Sequence, residues 1–230
     1  MFLVIVLNIW AVHLLGSLSD AGINFTLATA TAILTLLIHV IYTAGILRHG
    51  IQGLGLFLLP GTAVPLLLIP ILPEAHTPNW VLTDSLLETG HLLISIVAYA
   101  ILTLAAIHAI MQIMLDRALK KKRLSLLVQS LPPLMDVERH MFAQVKISTV
   151  LITISILTGL TWQWVEYHHF ALFTHKVLLA LFTLSLLMTL QYKRRHASWP
   201  SRVASRAVLI SYVTLILAYF GVQLIESLIH

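Results

Sequence analysis

Residues 84–115 read DSLLETGHLLISIVAYAILTLAAIHAIMQIML, and from Thr89 to Leu115 there is no Asp, Glu, Lys or Arg. A helix needs about 20 predominantly apolar residues to cross a bilayer. This stretch exceeds that length, so it reads as a membrane span. That assignment changes the meaning of its few polar side chains. In water they would be unremarkable, but in lipid each one needs a partner or a purpose.

The rest of the chain agrees. Of its 230 residues, 59% are hydrophobic and 10% charged, with a mean hydropathy of +0.94. Soluble domains carry about 25% charged residues. Seven spans are predicted, over roughly 1–18, 23–47, 52–72, 84–115, 138–164, 170–192 and 204–229. The third is kinked, because Pro60, Pro65 and Pro70 each remove a backbone donor. The opening MFLVIVLNIW has no preceding Lys or Arg and no small-residue cleavage site, so a spanning helix is expected there rather than a cleaved signal peptide. The predicted fold is all-α: a polytopic bundle forming a single integral membrane domain over 1–230.

Alternating the sides of these spans sorts the basic residues. Arg48, Arg117, Lys120, Lys121, Lys122, Arg123, Arg139, Lys146, Lys193, Arg194, Arg195, Arg202 and Arg206 fall on one side, and Lys176 alone on the other. Cytoplasmic loops collect Lys and Arg, so the N-terminus is expected in the cytoplasm and the C-terminus outside, in the periplasm. The formal charge of +5 therefore reports topology, and no nucleic acid partner is expected. In the long cytoplasmic segment, KKKR is expected at the anionic lipid surface. LSLLVQSL would lie along the interface, and Asp136 would cap the following span.

There are no cysteines, which excludes disulfides, thiolate-held iron–sulfur clusters and covalent haem attachment through C-x-x-C-H. The twelve histidines sort by depth, with His91 and His230 toward the outer side and His39 and His108 inside spans. Glu88, His91, Ser95 and Tyr99, spaced 3, 4 and 4, share one helical face. Tyr212, Tyr219, Gln223, Glu226 and His230 share another. Each face carries a carboxylate–histidine pair near the outer end, and a carboxylate can fix an imidazole's tautomer. Taken alone, His91 reads equally well as an interfacial histidine bonded to a neighbouring carbonyl.

Residues 159–176, GLTWQWVEYHHFALFTHK, are predicted as an outer loop. There Trp162, Trp164, Tyr167 and Phe170 form an aromatic shelf beside His168, His169, His175 and Lys176. Something flat, apolar and anionic fits such a shelf, and haem has that chemistry. A bare metal ion would also suit imidazole, although no H-x-x-x-H pair nominates one.

Three stretches carry a family resemblance: GHLLISIVAYAILTLAAIHAI; LPPLMDVERHMF with the span running to ILTGLTWQW; and LAYFGVQLIESLIH. The chain resembles the haem-handling membrane proteins of cytochrome c assembly, most closely a bacterial inner-membrane branch. The resemblance covers roughly 84–230, and residues 1–80 match only as hydrophobic spans. It implies haem held at the outer face between two histidines, over a tryptophan-rich platform. His91 falls at the first histidine, in a G-H-x-x-x-S-x-x-x-Y context, and His230 at the second. Trp162 and Lys176 fall at the start of the platform and at its lysine. The platform is otherwise replaced by VEYHHFALFTHK, and Tyr192 stands where the family has a histidine.

The expected function is haem binding and presentation at the outer face of the bacterial inner membrane, toward a periplasmic acceptor or other assembly proteins. That is binding or transport rather than turnover catalysis. His91 and His230 would ligate the iron, with Glu88 and Glu226 behind them. Trp162, Trp164, Tyr99 and His175 would line the site, and Lys176 would neutralise a propionate. A second reading is a b-type redox protein, or an accessory subunit to one, using His39 and His108. A third is a cofactor-free scaffold or transporter subunit.

Overall fold

The computed structural model describes residues 2–15, 18–19, 22–24, 26–49, 53–68, 80–81, 85–122, 128, 131–168, 174–196 and 200–221. Among them run seven helices: α1 (Phe2–Leu15), α2 (Leu27–His49), α3 (Gly55–Leu68), α4 (Leu86–Lys120), α5 (Leu134–Tyr167), α6 (His175–His196) and α7 (Ser201–Ile216). The last continues as a π-helical turn, Leu217–Gly221. Five helices, α2, α4, α5, α6 and α7 together with its π turn, are long and apolar enough to cross a membrane.

Among the described residues, the first and third expected spans have shorter helices than the other five. Helices α1 and α3 have 14 residues each. At 1.5 Å per residue that is about 21 Å, against about 30 Å of bilayer hydrocarbon. Helix α3 runs through both Pro60 and Pro65. A feature absent from the all-α expectation joins two of the connections. Leu18–Ser19 (β1), Gly22–Asn24 (β2) and Trp80–Val81 (β3) form a small antiparallel sheet, with Leu18 opposite Ile23 and Ile23 opposite Val81. It ties the α1–α2 connection to the α3–α4 connection.

Helix α4 is the axis of the bundle. Ala98, Leu102, Ala105 and Ala109 belong to a core shared with α5, α6 and α7. Ala100, Leu104, Ile107 and Met111 belong to a second core with α2 and α3. Alanines on both of these faces let neighbouring backbones approach closely, while Leu93 and Ile110 of the same helix stay exposed. The large exposed side chains, such as Phe2, Trp10, Leu157 and Phe182, lie on the outer helix surfaces, where lipid is the natural solvent.

One end of the bundle is polar and basic. Asp116 on α4 pairs with Lys120 at 3.1 Å and with Arg202 on α7. Glu138 on α5 accepts from Gln112 on α4 at 3.0 Å and from Ser201 on α7 at 2.8 Å. The Arg194 guanidinium stacks 3.6 Å above the Phe142 ring. Lys176 is in the first turn of α6, at the opposite end. Asp136 does not occupy the cap position: Pro133 does, and Asp136 follows in the first turn, 3.7 Å from Arg139. The preceding Pro133 sets the extended entry that a capping side chain would otherwise require. The interfacial element expected over LSLLVQSL, and Arg123 of KKKR, lie outside the described residues, apart from Val128 and Leu131.

This packing makes a direct prediction. Ala105→Leu adds bulk where α4 has no room, and should destabilise the detergent-solubilised protein by about 1–3 kcal/mol. Leu157→Ala, on an exposed face, should change thermal stability far less. Equal melting temperatures for the two variants would contradict the axial role of α4.

Candidate functional site

The end of the bundle opposite the basic one opens into a cavity of about 650 Å³ between α4, α5, α6 and the π turn. His91 lines it from α4, and its environment is set by α5. The imidazole Nδ1 is 2.8 Å from the carbonyl oxygen of Ser155. A carbonyl only accepts, so Nδ1 carries the proton and Nε2 keeps its lone pair. The ring lies against Gly159, where an added Cβ would fall 2.8 Å from Cε1 and 3.0 Å from Nδ1. Only glycine leaves room for the imidazole there.

Serines complete the tie. Ser95 donates to the His91 carbonyl at 2.6 Å, and its Oγ is 2.6 Å from Ser155 Oγ. Because the Ser95 proton is already used, Ser155 is the donor between the two hydroxyls. Deeper in, Tyr99 donates to the Leu215 carbonyl at 2.9 Å. Its ring meets Tyr219 and Phe220 edge-on at 6.4 and 6.2 Å. A π turn loosens the i→i−4 ladder, and Tyr99 supplies a donor to α7 just before that turn begins.

Of the residues singled out from sequence, Glu88, His91, Tyr99, Trp162, His175 and Lys176 line this one cavity. Trp164 does not. Helix α5 continues to Tyr167, so 162–167 are helical rather than loop. Two residues apart on a helix means nearly opposite directions. Trp164 is half-exposed and meets His168 edge-on at 6.4 Å. His168 ends the helix in the left-handed conformation, its N–H bonded to the Trp164 carbonyl at 3.0 Å. Glu226 and His230 lie outside the described residues.

The two inner histidines have separate surroundings. His39 has partners for both ring nitrogens: the Thr35 carbonyl at 2.7 Å and Thr62 Oγ of α3 at 3.2 Å. His108 bonds the Leu104 carbonyl at 2.8 Å, and the ring beside it is that of His140.

Ser155 and Gly159 were missed in the sequence. Their spacing, a small residue every fourth position, is the signature of a close helix–helix approach, and it could have pointed to where α5 meets His91. The π-turn residues Ala218 and Phe220 also line the cavity with no sequence signal of their own.

With this geometry established, the comparisons become specific. The model of the cytochrome C assembly protein family matches residues 1–230. The chain belongs to the cytochrome C assembly family. Membership extends over the N-terminal residues, which had resembled the family only as apolar spans. Inner membrane protein YpjD of Escherichia coli K12 is 29% identical over 215 residues, covering 91% of this chain and 78% of that protein. The O157:H7 counterpart matches equally. An uncharacterized 28.8 kDa protein of Azospirillum brasilense is 30% identical over 139 residues, covering 60% of this chain and 51% of that protein. No solved structure matches. This family member is a multi-pass membrane protein, in contact with lipid.

Gly159→Ala should push the imidazole off α5 and break the bond to Ser155. In the nitrogen NMR spectrum of labelled histidine, wild-type His91 should show a protonated Nδ1, and the variant a mixture of tautomers. An unchanged His91 signal in Gly159→Ala would contradict the close contact.

Proposed function

We propose that this protein binds haem in the outer cavity and presents it at the outer face of the bacterial inner membrane. The observation carrying this reading is the His91 imidazole, whose Nδ1 proton is committed to the Ser155 carbonyl. A metal-ligating histidine characteristically donates its other ring N–H to a carbonyl or carboxylate. The bond that would make His91 a purely structural histidine is the same bond that prepares Nε2 as a ligand.

The remaining residues suit the group. Apolar side chains of α4 and α5 and the Trp162 indole line the cavity, as a porphyrin face requires. Pockets for small ligands and cofactors run to about 300–1,000 Å³, and this one falls within that range. Lys176 lies in the first turn of α6, where the helix's free N–H groups also favour an anion. The Lys176 ammonium would neutralise a propionate there. His91 would hold the haem iron through Nε2, and His230 would be the second ligand, with Glu226 and Glu88 as carboxylates supporting them. Bound haem would supply the iron that is presented to an acceptor. Family membership supports delivery toward a periplasmic acceptor or other assembly proteins.

That side is assigned by charge. With the basic end of the bundle cytoplasmic, the cavity opens to the periplasm, the N-terminus lies inside and the C-terminus outside. The whole chain would then be one integral membrane domain. The chain has no cysteine, so single-cysteine labelling needs no background removal. Lys121→Cys should react with an impermeant maleimide only after the membrane is breached, and Glu166→Cys in intact cells. The reverse pattern would invert the sides.

The cofactor has its own test. Purified protein supplied with haem should give a Soret band, reduced at least tenfold in affinity by His91→Ala and also lowered by His230→Ala. Trp162→Ala and Lys176→Ala should weaken binding by smaller factors. No Soret band in the wild-type protein, or one indifferent to His91, would sink the reading.

A further inference from the structure

The cavity at His91 has two unlike ends, and they belong to different halves of the bundle. Tyr99 on α4 packs against both cores, so it marks the boundary between them. On one side stand Ala30 and Leu34 of α2, with Ile96 of α4 and Phe220 of the π turn. Leu34 lies in the core that α4 shares with α2 and α3, and Ile96 and Phe220 pack against that core. On the other side stand Gln163 of α5 and Thr174, His175 and Lys176 at the start of α6. Helix α6 gives Leu187 and Leu190 to the opposite core.

The two ends differ in access and in polarity. Ala30 is 2% exposed and Leu34 8%, whereas Thr174, His175 and Lys176 are all exposed. The cavity is therefore closed at α2 and open at α6. The four side chains of the closed end carry no hydrogen-bonding group. Between the ends the hydroxyl protons are committed to the protein. Ser95 donates to the His91 carbonyl, Ser155 to Ser95, and Tyr99 to the Leu215 carbonyl. Ammonium, imidazole and amide groups are gathered at the open end.

Haem is two-ended in the same sense. Both propionates leave one edge of the macrocycle, and the vinyl groups lie on the edges away from it. A carboxylate buried without a partner is costly, while a vinyl group gains by leaving water. We infer that haem lies with its vinyl groups against Ala30 and Leu34 and its propionates at the mouth beside α6. This orientation rests on the haem reading above and adds a direction to it. Ala30 is then a specificity-determining residue, because its small side chain sets how far the vinyl edge can enter. An acceptor approaching the mouth meets the propionates, with the vinyl groups enclosed by α2 and the π turn.

The test varies the edges of the ligand as well as the protein. Protohaem, deuterohaem (hydrogen in place of both vinyl groups) and protohaem dimethyl ester are each titrated into the full-length chain in detergent and followed by the Soret band. One methylene in an apolar pocket changes affinity about 10–200-fold, so Ala30→Val should weaken protohaem by about tenfold or more, and deuterohaem far less. Leu34→Ala, which withdraws the same wall, should also weaken protohaem more than deuterohaem. Each ratio is taken within one preparation, so a partly misfolded variant cannot imitate it. Lys176→Met should weaken protohaem and deuterohaem several-fold and leave the dimethyl ester unchanged. Protohaem-to-deuterohaem ratios that are the same in wild type and both α2 variants, or a Lys176→Met loss that persists with the ester, would overturn the orientation and leave haem binding at His91 standing. No Soret band with any of the three haems would instead remove the haem reading, and the orientation with it.

Discussion

The structure depends on a fixed antiparallel register between α4 and α5. His91 meets Gly159, Ser95 meets Ser155, and Gln112 meets Glu138. Each step forward on α4 is matched by a step back on α5 along most of both helices. Apolar side chains alone would not fix that register, because lipid solvates Leu and Ile as well as a neighbouring helix does. Small residues bring the backbones together, and hydrogen bonds at both ends prevent a slip. A shift by one turn would place a side chain against His91 where glycine now sits, and would leave Glu138 and Gln112 unpaired.

Three histidines show how the same local bond can have different consequences. His39 and His108 each bond the carbonyl four residues earlier on their own helix. Their ring orientation is therefore a property of one helix. His91 bonds a carbonyl on α5 instead, so its orientation is a property of the α4–α5 pair. The second nitrogen then distinguishes them further. That of His39 is satisfied by Thr62, which makes this histidine a fastener between α2 and α3. His91 Nε2 has no such bond among the described residues, and this ring lines the cavity and carries the functional proposal.

Much of the outer site was legible in the sequence because it lies on a single helical face. The spacing of Glu88, His91, Ser95 and Tyr99 placed them on one stripe, and all four line the cavity. The isolated Lys176 and the Trp162 position were legible through charge counting and resemblance. The rest depended on quantities a sequence does not display. The partner of His91 is a backbone carbonyl, and every residue has one. Helix α5 outlasts its apolar run by several residues, because a helix can continue beyond the hydrocarbon, and that extension turns Trp164 away. The His108 and His140 rings meet because the consecutive helices α4 and α5 run antiparallel. The small sheet was likewise invisible, since strands of two or three residues leave no periodicity to read.

The bond between Ser95 and Ser155 joins residues 60 positions apart, and this has a consequence for synthesis. At about 5–20 residues per second, α4 is made roughly 3–12 s before the stretch of α5 that satisfies it. During that interval His91, Ser95, Gln112 and Asp116 have neither α5 nor α7 to pair with. Helix α4 must therefore wait beside the insertion machinery or the earlier helices until α5 arrives. The polar stripe that equips the mature bundle is, for those seconds, a reason for the nascent chain not to be released into lipid.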